Sequence, residues 1–315
     1  MKKIFSKILF PGLALKEYLT ITTDKPLQEK AYLKNGDNFI DISKIHWLLC
    51  VEPVTFGVWL SKEDMQLFFE RKQSTIYFTG SFCDDNNAAK KSLAILTVEL
   101  NNKLEDENGT LLLFQVIYTK IKHLSRVKTF LIFSLFYKKP GISFQKFKTL
   151  VAAFSYPRKV CLISFQKDNY YNIFPMDLLG EIKNKQYVFG LRHSNSALEK
   201  IIETKKIVVA DVSYKYKELT YQLGKHHSLN PPAINSLPFK IIHSASFRFP
   251  VPEFADNYKE IEILKSLNLG SQMLLWGKVI NEVSLKRHES SLFHIHFLLY
   301  MHQQKKTMDA DYKKV

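Results

Sequence analysis

Polar side chains interrupt apolar runs at four places in the second half of the chain. The first is Asp168-Asn169-Tyr170-Tyr171-Asn172-Ile173-Phe174-Pro175-Met176-Asp177, directly after the apolar run KVCLISFQ. It reads as a hairpin turn or, equally well, as one wall of a ligand site. The second is Gly190-Leu191-Arg192-His193-Ser194-Asn195-Ser196, where a strand pattern gives way to a helix pattern. Backbone N–H groups at a helix start, two hydroxyls and a guanidinium make a phosphate site. The commoner alternative is a Ser cap beside a solvent-facing Arg. The third is Leu223-Gly224-Lys225-His226-His227-Ser228. Adjacent His residues rarely chelate one ion, and no HxxxH or HExxH spacing accompanies them, so no metal site is expected. The fourth is the Leu269-Gly270-Ser271-Gln272 turn, running into the apolar stretch Met273-Leu274-Leu275-Trp276-Gly277-Lys278-Val279. Further on, His294 and His296 share one face of LFHIHFLLY and read as pocket or interface lining.

The elements that must hold these residues follow from pattern. In KVCLISFQ, YVFGLR, IVVADVS, EIEILKSLNL, MLLWGKVINEV and LFHIHFLLY, β-branched or aromatic runs are bounded by turn residues, which predicts strands. NSALEKIIETKK places Leu198, Ile201 and Ile202 on one helical face, and YKELTYQLGK ends at Gly224. Six or more strands with few helices predict a β-barrel with helices packed outside. No GxGxxG follows a strand, which excludes a Rossmann dinucleotide site. The first half reads as mixed α/β, with an Asn35-Gly36-Asp37 hairpin signal, a capped helix at SKEDMQLFFERK and a polar turn at LEDENG. The boundary is placed at Lys139-Pro140-Gly141, giving an α+β domain over 1–140 and a second domain over 141–315.

Composition narrows the function classes. The 315 residues, 46% hydrophobic and 13% aromatic, fill two domains and exclude disorder. The net charge of +15 divides evenly, 22 basic and 15 acidic residues in 1–150 against 23 and 15 in 151–315, with no basic cluster. A nucleic-acid binder shows a stripe or patch, so no nucleic-acid partner is expected. Cys50, Cys83 and Cys161 are too few and too far apart for a disulfide scaffold. The most apolar region, residues 111–137, is cut by Lys120, Lys122, Arg126 and Lys128, and reads as a strand followed by a helix. A membrane span needs about 20 uninterrupted apolar residues. MKKIFSKILFPGLALKEY is broken by Lys7, Pro11 and Lys16 and is read as mature chain. A cytoplasmic protein without a membrane partner is expected.

At the singled-out residues the chain resembles the flavin reductase-like proteins of the FMN-binding split-barrel superfamily. The resemblance rests on an ordered set: a Pro-led strand Tyr156-Pro157-Arg158-Lys159-Val160, then YNIFPM, YVFGLRHSNSALEKI, IVVADV and LGSQMLLWGKV. It covers roughly residues 142–303. It implies a six-stranded Greek-key split barrel with flanking helices that dimerises and holds FMN near the dimer interface. Carried over, Asn172, Phe174, Pro175, Met176 and Asp177 lie along the flavin ring and ribityl chain. Arg192, His193, Ser194 and Asn195 hold the ribityl or phosphate end, and Gln272 lies at the late turn. Reductases of this kind pass hydride from NADH or NADPH to flavin N5, and many carry Gly-Asp-His where this chain has Gly270-Ser271-Gln272. His226 or His227 is the candidate to stand in for that missing His. Two functions therefore stay open: an NAD(P)H-dependent flavin oxidoreductase, or a non-catalytic dimeric module that carries or senses FMN or haem.

Overall fold

The protein was analysed as a computed structural model, which describes residues 18–23, 27–67, 71–183, 185–227, 230–286, 291–296 and 311–314. The reading of residues 1–17 falls outside these. Two seven-stranded antiparallel sheets form most of the molecule. The first contains β1 (Lys30–Asn35), β2 (Asn38–Asp41), β3 (His46–Val51), β4 (Val54–Ser61), β5 (Gln73–Thr79), β6 (Ser92–Asp106) and β7 (Gly109–Ile121). Its spatial order is β2-β1-β5-β6-β7-β4-β3. The second contains β8 (Cys161–Lys167), β9 (Tyr170–Met176), β10 (Leu179–Ile182), β11 (Gln186–Arg192), β12 (Lys206–Asp211), β13 (Asn257–Asn268) and β14 (Gln272–Ser284). Its order is β9-β8-β12-β13-β14-β11-β10. Only Asp177 and Leu178 separate the two edge strands β9 and β10, so this sheet must curl until its edges meet.

Short helices close the crossovers: α1 (Lys62–Leu67), α2 (Asp85–Lys91), α3 (Arg126–Ile132), α4 (Phe144–Ala153), α5 (Leu198–Thr204) and α6 (Lys217–Gln222). Their ends follow local chemistry. Asp84 accepts the Asn87 N–H at the start of α2, whose first turn carries Asp85 and whose last carries Lys90 and Lys91. Ser143 accepts the Lys146 N–H at the start of α4, and that helix buries Phe147 and Val151. Residues 111–137 form most of β7 followed by α3 and a π-helical turn, a strand then a helix as the interrupted apolar pattern predicts. No helix among the described residues is long and apolar enough to cross a membrane.

Two expectations differ from what forms. The second seven-stranded sheet has one strand more than the six-stranded barrel that the resemblance implies. The first half, read as an α+β domain, forms a seven-stranded sheet with the short helices α1, α2 and α3. LEDENG is largely strand: β6 runs to Asp106 and β7 starts at Gly109, leaving a two-residue turn. The last residues of β6, from Asn101 to Asp106, are mostly exposed and polar, so the alternating apolar signal of a strand is lost there, while β7 is buried from Gly109 to Phe114. The expected boundary at Lys139-Pro140-Gly141 lies in the turn between a π-helical turn at Phe133–Tyr137 and α4.

Candidate functional site

β9 runs past two chemically distinct neighbourhoods. At its first end, Asn172 is fully buried. Its Nδ2 donates to the Tyr170 hydroxyl at 3.1 Å, to Ser196 Oγ at 3.3 Å and to the His226 carbonyl at 2.9 Å. The Tyr170 and Ser196 hydroxyls are 2.8 Å apart. One side chain thus ties together the hairpin strand, the turn after β11 and the 3-10 turn Leu223–His227. That turn lies across β9 with Gly224 against Pro175, whose ring would be 3.5 Å from an added Cβ. Three buried polar atoms of these packed elements have no hydrogen-bond partner: Asn172 Oδ1, Thr220 Oγ1 on α6 and His226 Nδ1. Each such atom costs about 1–3 kcal/mol unless something pairs with it. Burial pushes the His226 pKa down, so its imidazole is neutral near pH 7.

At the other end, Asp177 accepts from Arg158 Nε at 3.1 Å and from His294 Nδ1 at 2.9 Å, and lies 2.8 Å from a terminal guanidinium nitrogen of Arg158. Arg158 also stacks on Phe154, 4.1 Å from the ring centre, and His294 stacks on Tyr221. Burial alone would raise the Asp177 pKa. The Arg158 charge and the His294 contact outweigh it and hold the carboxyl well below the usual carboxylate range. Asp177, Arg158 and Lys159 line a cavity of about 280 Å³ between the two sheets, closed on the other side by His46, Trp47 and Tyr156. That is just under the size of typical small-molecule sites, roughly 300–1,000 Å³. Phe174 and Met176 are buried in the main apolar core.

The turn after β11, which reaches Asn172 through Ser196, is exposed at its start. Arg192, His193 and Ser194 are exposed, and Arg192 makes no ion pair with a described residue. His193 Nε2 lies 3.3 Å from Asn268 Oδ1. Asn195 turns inward, its Oδ1 accepting the Ala197 N–H at 2.9 Å. Gln272, opposite Arg192 in the ladder, is fully buried. Its Oε1 accepts the Val51 N–H of the first sheet at 3.0 Å and the Ser271 hydroxyl, and Glu52 C=O accepts the Ser271 N–H at 2.7 Å. The Gly270-Ser271-Gln272 turn therefore clamps the second sheet to the β3–β4 turn of the first.

The structure gathers Asn172, Ser196 and His226 in one place, Asp177 with Arg158 and His294 in a second, and Arg192, His193 and Ser194 with the Gln272 turn in a third. The His227 and His296 side chains lie outside what is described. Sequence reasoning did not pick out Thr220, or Arg158 as the partner of Asp177. It did not find the cavity, whose walls come from segments more than a hundred residues apart. The one visible signal is the pair Arg158-Lys159 directly after Pro157. No group of three metal-binding side chains occurs among the described residues.

The solved structures that match the chain include flavin reductases and FMN-binding proteins, each matching about half of it. An NADH:FAD oxidoreductase of Streptomyces globisporus matches with 11% identity and a TM-score of 0.43, over 49% of this chain and 94% of its own. The flavin reductase component of a bacterial two-component tryptophan halogenase matches with 10% identity and a TM-score of 0.40, over 45% and 93%. An FMN-binding protein from Thermus thermophilus matches with 14% identity and a TM-score of 0.36, over 41% and 73%. No family model and no curated protein matches the chain.

Proposed function

We propose that the second half is a split barrel that binds FMN and serves a flavin-reductase-like oxidoreductase with NADH or NADPH as co-substrate. The observation that carries this reading is the unpaired polar group beneath the Leu223–His227 turn. Asn172 Oδ1 is an acceptor and the neutral His226 Nδ1 either donates or accepts, a set that matches the ring N–H and ring nitrogens of a flavin. The residues therefore fit the group. Asn172 and His226 would orient the ring, with Pro175 along its apolar face and Ser196 at its edge. Arg192 and Ser194, free at the surface, would hold the phosphate. Bound flavin supplies two-electron chemistry, accepting hydride at N5. The protein's part is to fix the ring, exclude water beneath the 223–227 turn and keep a neutral imidazole beside it.

Purified protein titrated with FMN should take it up and show flavin absorbance, and NADH or NADPH added without oxygen should bleach it. Arg192→Ala should weaken FMN binding by about 1.5–3 kcal/mol, roughly 10- to 150-fold in Kd. Protein that takes up no FMN would refute the reading. Uptake without bleaching would leave flavin binding and remove the reductase.

A further inference from the structure

The two sheets have one topology. Adding seven to every label in the first order, β2-β1-β5-β6-β7-β4-β3, gives the second, β9-β8-β12-β13-β14-β11-β10. Helices fall in the same gaps: α1 between β4 and β5 as α5 between β11 and β12, and α2 between β5 and β6 as α6 between β12 and β13. Strand orders number in the thousands before connection rules prune them. The irregularities repeat as well. Register shifts in the long hairpin fall between Thr97 and Val98 and between Leu100 and Asn102 in β6. In β13 they fall between Glu260 and Ile261 and between Ile263 and Lys265, at the same spacing. β-Bulges are built features of a fold, so matching pairs mark a shared plan.

The halves also meet through like elements. Gln186, the first residue of β11, bonds Asp106, so the β10–β11 side of the second half meets the β6–β7 turn of the first, and Lys265 Nζ of β13 also donates to the Glu105 carbonyl beside that turn. Reciprocally, the β3–β4 turn of the first half meets the β13–β14 turn of the second, through Glu52 and Ser271. The apolar core between them contains Leu104 and Leu111, cross-strand partners in the first hairpin, and Leu267 and Leu274, cross-strand partners in the second. An arrangement in which patch i meets j and j meets i is that of a two-fold dimer. Counting along the ladders from the bulges, Leu113 matches Trp276, Gly57 matches Val188 and Trp47 matches Gly180. Trp47 and Gly180 touch: a Cβ on Gly180 would lie 1.6 Å from Trp47 Nε1. Matched positions that touch lie at the pseudo-axis. A true two-fold would put the same residue on both sides, and two Trp side chains do not fit where one needs a glycine opposite.

We propose that this chain is a fused dimer: its first half is a second copy of the same fold and occupies the partner's place, so one chain forms the complete two-sheet unit with a single ligand site. The single-site clause rests on the FMN reading above. The halves have diverged at that site: by the same count, Arg192 matches Ser61, which lacks the cation. The dimer partner implied by the sequence is then residues 30–121 of the same chain.

The test uses the full chain. Sedimentation equilibrium at micromolar concentration should give the mass of one chain, 36.8 kDa; twice that mass would overturn the proposal. Gly180→Trp should lower the melting temperature or abolish folding, and adding Trp47→Gly to it should restore folding by exchanging the two axis residues. A double variant no more stable than Gly180→Trp would overturn it. FMN should bind with one site per chain. Two sites would overturn the single-site clause; none would remove that clause with the FMN reading and leave the mass and exchange results to decide the fusion.

Discussion

Replacing Asp177 by Asn keeps the shape of the side chain and removes its charge. Arg158, which faces it, is 8% exposed and pressed on Phe154, so its guanidinium would stay buried and lose the Asp177 carboxylate. Breaking a buried pair costs about 3–5 kcal/mol. The Asp177 side chain keeps 21% of its exposure, so water relieves part of the penalty and about 3 kcal/mol is the expected loss. At roughly 2–4 °C per kcal/mol for a large domain, melting should fall by about 6–12 °C in scanning calorimetry at pH 7. Combining Asp177→Asn with Arg158→Met removes both charges, and the double variant should melt above the single one. The effect also has a sign in pH. The folded-state pKa is depressed, so the stabilisation is present above the unfolded value of about 3.9 and is lost as pH falls toward the folded value. The gap between parent and Asp177→Asn should therefore narrow below about pH 4. A variant melting within about 2 °C of the parent at pH 7 would refute the reasoning, since the smallest loss worked out above is about 6 °C. So would a double variant no more stable than the single one.

Asp211 offers a second acid-sensitive pair. Burial opposes its ionisation, but Lys159 at 2.7 Å, with Asn257, pulls its pKa down to about 2. It should contribute about 2 kcal/mol above pH 4, lost as pH falls toward 2, and urea midpoints of Asp211→Asn against the parent should converge over that range. Gly190→Ala puts a methyl 1.8 Å from the Leu49 carbonyl oxygen of the other half. It should destabilise by about 1–3 kcal/mol, read as a lower urea midpoint with unchanged slope.

Much of the second half was legible. Apolar runs bounded by turn residues locate β8, β9, β11, β12, β13 and β14, because strand propensity and turn chemistry are local. The helices at α5 and α6 follow from spacing and from their end residues. The ordered polar interruptions point to the residues around Asn172, because buried polar side chains in apolar strands are costly and call for a partner.

The chain's local chemistry determined its strands, turns and caps, and which side chains carry a charge or a free hydroxyl. Tertiary structure decided what those side chains meet. Gln272 reads as a ligand contact until the β3–β4 turn is seen to take its oxygen. Asp177 reads the same way until Arg158 and His294 close on it. The first half reads as an unrelated domain because sheet order is a set of long-range pairings that no local window contains. With its strand order in hand, β1 to β7 repeat β8 to β14, and Trp47 meets Gly180 across a pseudo-axis that neither residue announces alone.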